Sequence, residues 1–232
     1  MKKKIVVLTG AGISAESGIK TFRDADGLWE GHNVMEVATP EGYAKNPCLV
    51  LDFYNQRRRQ LFTVDPNAAH RALVSLEEKY DVTIITQNVD DLHERAGSSQ
   101  VMHLHGELLK VRSTVDDTFI TDCRADVLLG DLCPKGGQLR PHIVWFGEEV
   151  PMLDLAMSKV EKTDILIIIG TSMQVYPAAS LVHYVPWGTP IYFVDPKPSV
   201  SPSDFASLTI VARSAVEGVP DLVDQLIKNM NS

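Results

Sequence analysis

Val6-Val7-Leu8-Thr9-Gly10-Ala11-Gly12-Ile13-Ser14-Ala15-Glu16-Ser17-Gly18 is the stretch that decides the fold of this chain. Residues 5–8 are apolar and largely β-branched, which is typical of a central strand in a parallel sheet. Gly10 and Gly12 lack a Cβ, so the backbone can turn sharply there and approach a ligand closely. A helix beginning near Ser14 would direct its unpaired N–H groups and its positive dipole end at a pyrophosphate. The pattern is not a complete dinucleotide fingerprint, and a tight turn made only for packing explains it too.

Outward from this stretch, short apolar runs alternate with segments of helical spacing. The runs predict strands and the segments between them predict helices. The predicted strands cover 82–86, 101–105, 164–169 and 191–194, and the predicted helices cover 36–62, 66–79, 91–96, 153–162, 177–184 and 219–228. This alternation indicates an α/β fold built on a doubly wound parallel sheet.

Polar or glycine-rich segments follow the predicted strands. In open α/β sheets, ligands bind beside the carboxyl ends of the strands. The candidates for one shared site are therefore Gln87-Asn88-Val89-Asp90, His105, Gly170-Thr171-Ser172 and Asp195.

Composition narrows the class of protein. A length of 232 residues predicts one domain, or one domain with an insertion. The formal net charge of −8 argues against binding to nucleic acid or to an anionic membrane. The longest basic run, residues 57–59, is typical of a helix face that is exposed to solvent. Three cysteines without a CxxC pair indicate no disulfide framework, and we expect a cytoplasmic enzyme.

Tyr54 and Arg57 are three residues apart on a predicted helix, so they share one face. A phenol beside a guanidinium can bind a carboxylate, which the arginine holds bidentately. The alternative is that Tyr54 packs in the core while Arg57 extends along the surface with its charge in water. The residues alone favour that alternative.

The motifs taken together, in their order along the chain, closely resemble the sirtuin family of NAD-dependent protein-lysine deacylases. They are Gly10-Ala11-Gly12-Ile13-Ser14, Gly18-Ile19-x-x-Phe22-Arg23, Gln87-Asn88-x-Asp90, His105-Gly106, Trp145-Phe146-Gly147-Glu148 and Gly170-Thr171-Ser172. The resemblance implies a Rossmann-like large domain (1–28, 63–106 and 141–232) and a smaller inserted domain (29–62 and 107–140). Tyr54-x-x-Arg57 is similar to the signature of the subclass that removes succinyl and malonyl groups, with acetyl also accepted.

The resemblance also implies a mechanism. The acyl oxygen of an acylated lysine attacks the anomeric carbon of the nicotinamide ribose, nicotinamide leaves, and the acyl group ends on ADP-ribose. His105 would be the general base, because a neutral imidazole is present near pH 7. Asn88 and Asp90 would hold the carboxamide of nicotinamide, Ser14 would order the ribose, and Phe22 would cover the reacting face.

The remaining site residues also follow from the resemblance. The catalytic pair is His105 and Asn88. The residues that would bind NAD are Gly10, Ala11, Gly12, Ser14, Phe22, Arg23, Trp29, Gln87, Asn88, Asp90, Gly170, Thr171, Ser172, Asp195 and Ala215. Residues 144–148 would form an extended edge on which a substrate peptide pairs. The substrate-binding residues would be Tyr54, Arg57, Val144, Phe146, Gly147 and Glu148.

Two departures from the family pattern affect cofactors. Most members bind zinc through two cysteine pairs, but Ser113 stands where the first cysteine is expected, and only Cys123 and Cys133 remain in the insertion. Two cysteines cannot complete a four-sulfur site, so we expect no metal unless His or Asp residues complete the set. Asp195 replaces a common asparagine; its carboxylate would repel a 2′-phosphate and favour NAD over NADP.

Two other functions use the same residues. One is NAD hydrolysis or ADP-ribosyl transfer, which would release nicotinamide without an acyl peptide. The other is a non-catalytic NAD-binding module, which the joint presence of His105, Asn88 and Asp90 disfavours because binding alone needs no base. The sequence does not fix the oligomeric state.

Overall fold

The structure is a computed structural model, and it describes residues 2–20, 28–29, 31–201 and 203–229. The strands are β1 (Lys4–Thr9), β2 (Leu28–Trp29), β3 (His32–Asn33), β4 (Asp81–Thr86), β5 (Val101–His103), β6 (Gly106–Ser113), β7 (Ile120–Asp122), β8 (Leu139–Ile143), β9 (Ile165–Ile169), β10 (Ile191–Val194) and β11 (Leu208–Val211). The α-helices are α1 (Val34–Val37), α2 (Pro40–Lys45), α3 (Pro47–Leu61), α4 (Ala68–Leu76), α5 (Leu92–Ala96), α6 (Leu153–Val160) and α7 (Ala215–Asn229).

A parallel sheet of order β11-β10-β9-β1-β4-β5 forms the centre of the molecule. The chain leaves β1 toward β4 and β5 on one side and later fills β9, β10 and β11 on the other. The strand order therefore reverses between β1 and β9, and the loops that follow these two strands lie at this switch point. The doubly wound fold expected from the sequence is confirmed.

Both faces of this sheet are covered, which explains why β1 and β9 are apolar throughout. Ile5 and Val7 of β1 pack in a core with α4 and α7. Val6 and Leu8, which point the other way, pack in a second core with α6 and the 3₁₀ segment Ala178–Tyr184. The burial of alternate residues on opposite faces follows from the two-residue period of a strand.

A second, smaller sheet is formed by strands that follow β5 in the chain. Strands β7, β6 and β8 form an antiparallel sheet in that order. Its β6 and β8 share a core with α1 and α3, in which Phe53, Tyr54 and Trp145 are almost fully buried. These elements overlap the two predicted insertions, whose limits stay a prediction.

Some local expectations were wrong. No α-helix begins near Ser14; two 3₁₀ turns, Ala11–Ile13 and Ala15–Ser17, follow β1 instead. The helix predicted over 177–184 is present as a 3₁₀ helix, Ala178–Tyr184, whereas β11 has no counterpart among the predicted strands. Arg58, expected on a solvated face, is buried, and its guanidinium donates to the Leu108 carbonyl and to Asn55 Oδ1.

Helix starts follow the sequence more closely. Thr39 caps α2 through a bond from the Gly42 N–H, with Pro40 in the first turn, where its missing N–H costs nothing. Across the parts of the chain that the structure describes, every helix is too short or too polar to cross a bilayer. The cytoplasmic location stays a prediction.

Candidate active site

A cavity of about 900 Å³ opens at the carboxyl ends of the parallel strands and extends under α3 and the segment after β8. Almost all of the described candidate residues line its wall. They are Gly10, Ala11, Gly12, Trp29, Tyr54, Arg57, Gln87, Asn88, Asp90, His105, Val144, Phe146, Gly147, Glu148, Gly170, Thr171, Ser172, Asp195 and Ala215. Phe22 and Arg23 lie outside the described residues, so their predicted roles have no structural counterpart here.

The floor of the cavity is made by two loops that meet glycine to glycine. The Gly12 N–H donates to the Gly170 carbonyl at 2.8 Å, and the Gly10 N–H donates to the Ile169 carbonyl at 3.0 Å. A Cβ on Gly12 would lie 2.5 Å from the Gly170 Cα. Only residues without a side chain allow this approach, and the backbone that they expose to the cavity suits a pyrophosphate. The two loops therefore fit the phosphate half of a dinucleotide.

A buried hydrogen-bonded cluster stands behind the floor. Ser14, whose side chain is fully buried, donates to Asp90 Oδ2 at 3.1 Å. The Asn88 amide donates to the Gly10 carbonyl at 3.2 Å, and its N–O distance to Ser14 Oγ is 3.3 Å. Burial raises the pKa of Asp90 to about 6, although the Leu92 N–H and the Ser14 hydroxyl lower it. The polar cluster predicted at the end of β4 is therefore assembled from β1 and β4 together.

His105 follows β5 and faces the cavity. Its Nδ1 lies 3.0 Å from the Gln87 carbonyl oxygen, which can only accept a hydrogen bond, so Nδ1 carries the proton. The Nε2 lone pair is then left to act as a base. Burial lowers the pKa of His105, and the imidazole is neutral near pH 7. The position and the tautomer both suit a general base.

His103 has different hydrogen-bond partners from His105, and its pKa is shifted in the opposite direction. Its Nδ1 lies 3.0 Å from the Asn88 carbonyl and its Nε2 lies 2.8 Å from Glu94 Oε1, so both nitrogens face acceptors. The Glu94 carboxylate and the Asn88 carbonyl raise the pKa of His103 against the effect of burial. His103 thus fixes the backbone of Asn88 from behind, a role that we did not predict. The signal was its position two residues before His105 on one side of the strand.

Tyr54 and Arg57 lie together on the side of the cavity formed by α3. The Tyr54 ring is fully buried, and burial raises its pKa strongly. The Arg57 guanidinium lies over the Phe53 ring at 4.5 Å, and the Trp29 ring packs edge-on against Phe53 and Tyr54. The structure thus agrees in part with both interpretations of this pair. Tyr54 packs in the core, and Tyr54 and Arg57 both line the cavity, where a carboxylate could bind.

Residues 144–148 do not form the extended edge expected from the sequence. Strand β8 ends at Ile143, and a turn follows in which the Glu148 N–H donates to the Trp145 carbonyl at 3.0 Å. The N–H groups of Val144 and Phe146 are bonded to the carbonyls of His105 and Ala38. The two N–H groups that would pair with a peptide are therefore already in use, although the turn still lines the cavity.

The loops after β4, β9 and β10 form the other end of the cavity. The Gln87 amide donates to Thr171 Oγ1 at 3.2 Å, which joins the ends of β4 and β9. Asp195 is buried after β10 and accepts the Lys197 N–H at 2.8 Å. Ala215 begins α7 beside them. This end offers a carboxylate and small residues, which suit a ribose and a flat base.

Ser113, which stands where the first zinc-binding cysteine is expected, is hydrogen-bonded at the end of β6 in the antiparallel sheet. Ser113 Oγ lies 3.1 Å from Cys133 Sγ and accepts the N–H groups of Val115 and Asp116. The Cys123 thiol instead donates to the Ala125 carbonyl. Within the described ranges, no three His, Cys, Asp or Glu side chains are grouped so as to hold a metal. These residues do not fit a tetrahedral zinc site.

The comparisons with known proteins agree with this geometry. A sequence model described as "Sir2 family" matches residues 10–177. The chain is 59% identical over 226 residues to an "NAD-dependent protein deacylase" of Helicobacter pylori (strain ATCC 700392 / 26695), covering 97% of this chain and 98% of that protein. It is 54% identical over 231 residues to a protein of the same name from Bacteroides thetaiotaomicron, covering 97% and 98%.

Solved structures show the same likeness. A "Sir2 homolog-NAD complex" has a TM-score of 0.87 at 42% identity and is matched over 99% of this chain and 91% of its own. A mutant Sir2 homologue in complex with ADP-ribose has a TM-score of 0.89 at 41% identity, covering 99% and 94%. The chain belongs to the Sir2 family, the sirtuins.

Proposed function

We propose that this chain is an NAD-dependent protein-lysine deacylase that removes succinyl and malonyl groups in preference to acetyl. Relatives of nearly the same length, 54–59% identical and named NAD-dependent protein deacylases, support the activity. The acyl preference is carried by one observation: Tyr54 and Arg57 line the same cavity as His105 and Asn88.

In this proposal NAD is a consumed substrate that supplies the anomeric carbon of its nicotinamide ribose. The Gly10–Gly12 and Gly170–Ser172 loops hold its pyrophosphate, and Asp195 and Ala215 hold the adenosine end. The Asp195 carboxylate accepts from ribose hydroxyls and repels a 2′-phosphate, so NAD is preferred to NADP. Arg23 and Phe22 stay predicted contributors on sequence grounds.

The chemistry depends on the groups that follow β4 and β5. Asn88 and Asp90 hold the nicotinamide carboxamide, and Ser14 keeps both of them in place through its hydroxyl. His105 Nε2 takes a proton from a ribose hydroxyl, which frees that oxygen for acyl transfer. A merely NAD-binding module would have no use for this base.

The acyl group enters from the α3 side. Its terminal carboxylate would be held by the Arg57 guanidinium and the Tyr54 hydroxyl, while the lysine stem passes Val144, Phe146 and Gly147. Because a charge-assisted bond is stronger than a neutral one, an acidic acyl group gains more than acetyl does.

A structural zinc is not part of the proposal. Ser113 occupies the place of a sulfur ligand, and its hydroxyl already bonds Cys133 and two backbone N–H groups. The small sheet would then be stabilised by hydrogen bonds and its apolar core alone.

The test compares peptides of one sequence that carry succinyl-, malonyl- or acetyl-lysine. With NAD, we expect O-acyl-ADP-ribose by mass spectrometry, and a higher kcat/KM for the acidic peptides. Arg57→Met lowers desuccinylation at least tenfold more than deacetylation, because a hydrogen bond to a charged group is worth roughly 1.5–3 kcal/mol.

The matched control is Arg59→Met on the same helix, because Arg59 pairs with Asp126 at the surface and its side chain is 56% exposed. This variant keeps both activities. Nicotinamide release that is independent of any acyl peptide, without acyl-ADP-ribose, would instead support the glycohydrolase function. Equal losses on both substrates in Arg57→Met would contradict the acyl preference.

A further inference from the structure

We infer that Trp145 is a positioning residue for acyl specificity: its indole N–H fixes the Tyr54 hydroxyl so that the phenolic proton points at an acidic acyl group. The inference rests on the proposed function, since it concerns the same acyl pocket. It starts from one hydrogen bond, in which Trp145 Nε1 donates to Tyr54 Oη at 3.0 Å between two buried rings.

The direction of this bond is fixed by chemistry. An indole N–H can only donate, so Tyr54 Oη is the acceptor. The phenolic proton lies in the plane of its ring and has two low-energy orientations. A donor on one side of the oxygen leaves the proton to turn to the other side. Tyr54 is among the residues that line the cavity, and in this inference the free side of the oxygen is the side toward the acyl group, so the hydroxyl is set as a donor before any substrate arrives.

Trp145 is itself held from several directions. The Arg140 guanidinium lies over its ring at 4.0 Å. Glu148 bonds Arg140 with one carboxylate oxygen and accepts the backbone N–H of Trp145 with the other, at 2.8 Å. The Tyr43 ring packs on Trp145 with centroids 5.2 Å apart. The indole therefore cannot rotate away, which gives the bond to Tyr54 a fixed direction.

The consequence differs between substrates. A succinyl or malonyl carboxylate is an acceptor of charge −1, and a donor already aimed at it loses little orientational freedom on binding. An acetyl group ends in a methyl, which cannot accept a bond from Tyr54. Trp145 should therefore affect the KM for acidic acyl peptides while leaving kcat and the KM for acetyl peptides unchanged.

The experiment uses Trp145→Phe, which removes the N–H and keeps an aromatic ring against Arg140. We expect the KM for a succinyl-lysine peptide to rise roughly tenfold. The KM for the acetyl-lysine peptide, the KM for NAD and kcat should stay within about twofold. Tyr54→Phe has a similar effect, and Trp145→Phe in the Tyr54→Phe background adds nothing, because the group that it orients is gone.

Two controls separate this effect from general packing. Tyr43→Phe removes a hydroxyl group from another ring that packs on Trp145. This variant should leave the ratio of kcat/KM for the succinyl peptide to that for the acetyl peptide unchanged. If Trp145→Phe does not fold, replacement of Trp145 by β-(3-benzothienyl)alanine keeps the shape and substitutes sulfur for the N–H. Circular dichroism and thermal melting accompany every variant.

The outcomes are distinct. Equal losses on succinyl and acetyl peptides, or an additive loss in the double variant, overturn the positioning role. A succinyl-to-acetyl preference that is the same in Trp145→Phe as in the wild-type enzyme overturns this inference and leaves the proposed function standing. A wild-type enzyme without that preference, together with an Arg57→Met variant that behaves alike on both substrates, overturns the proposed acyl preference and the inference with it.

Discussion

His105 and His103 show how the pKa values of two identical side chains are shifted in opposite directions at one strand end. His105 has one acceptor, the Gln87 carbonyl, and burial keeps it neutral. His103 has two acceptors, one of them the Glu94 carboxylate, which favours its protonated form. The two histidines, whose pKa values are shifted in opposite directions, are thus separated by one residue.

Replacement of His105 should separate chemistry from binding. His105→Ala removes the proposed base but leaves the glycine loops that we propose hold the phosphates, so we expect deacylation to fall by roughly 10²–10⁴-fold. The dissociation constant for NAD, measured by isothermal titration calorimetry, changes less than about threefold. His183→Ala, at a histidine outside the cavity wall, serves as the control and keeps full activity. Deacylation that persists in His105→Ala would refute the assignment of the base.

Several site residues could be placed from the sequence because the carboxyl ends of parallel strands meet at one edge. Asn88, His105 and Gly170 each follow an apolar run, and this position alone brings them to one cavity. Arg58 could not be placed, because its burial depends on the Leu108 carbonyl, 50 residues away. The sequence places Trp145 in a motif but does not indicate its bond to Tyr54, because the two residues are 91 positions apart.

At the scale of elements, the start of α4 is hydrogen-bonded to the glycine loop that follows β1. Asn67 caps the helix by accepting the N–H groups of Ala69 and His70, and its amide donates to the Ile13 carbonyl at 2.8 Å. His70 takes the third position of the capping box and is fully buried. The helix thus supports the 3₁₀ turn that stands where we expected an α-helix.

The His70 position predicts a pH dependence of stability. Burial lowers the pKa of His70 to about 4, below its ordinary 6.5. Below pH 6.5 His70 binds a proton in the unfolded chain but not in the native state. Its contribution to the free energy of unfolding is therefore fully present above that pH and is lost as the pH falls toward 4. Between pH 7.5 and 5.5 this amounts to about 1 kcal/mol.

His70→Gln removes the titration but keeps an acceptor for the Asn67 N–H, as glutamine does in ordinary capping boxes. Urea unfolding at pH 7.5 and 5.5 should therefore show a smaller loss of unfolding free energy in the variant. The contribution from Asp90, which burial also shifts, occurs in both proteins and cancels. His70 also lowers the pKa of the neighbouring His93, so its removal reduces the loss of stability through His93 in the same direction. Parallel losses in the two proteins would contradict the prediction.

At the scale of the whole molecule, the active site lies between a parallel sheet and an antiparallel sheet that carry different tasks. The parallel sheet supplies the glycine loops and His105, the proposed base, while α3 and the turn after β8 supply Tyr54, Arg57 and Trp145. Substrate preference can therefore vary on one side without disturbing NAD binding on the other. This division was predictable from the order of the motifs, but the turn at residues 144–148 was not, because its bond to Ala38 joins distant segments.

The hydrogen bonds of Ser113 predict that the antiparallel sheet keeps its shape without a metal. Elemental analysis of the purified protein should show less than a stoichiometric amount of zinc, and a chelator should leave both the melting temperature and deacylation unchanged. Ser113→Ala should lower the melting temperature by several degrees, because it strands two N–H groups and the Cys133 thiol that its hydroxyl now satisfies. Ser99→Ala, at a serine outside the antiparallel sheet, is the control and should leave the melting temperature unchanged. One zinc per chain, with melting that shifts on chelation, would show that other side chains complete a metal site.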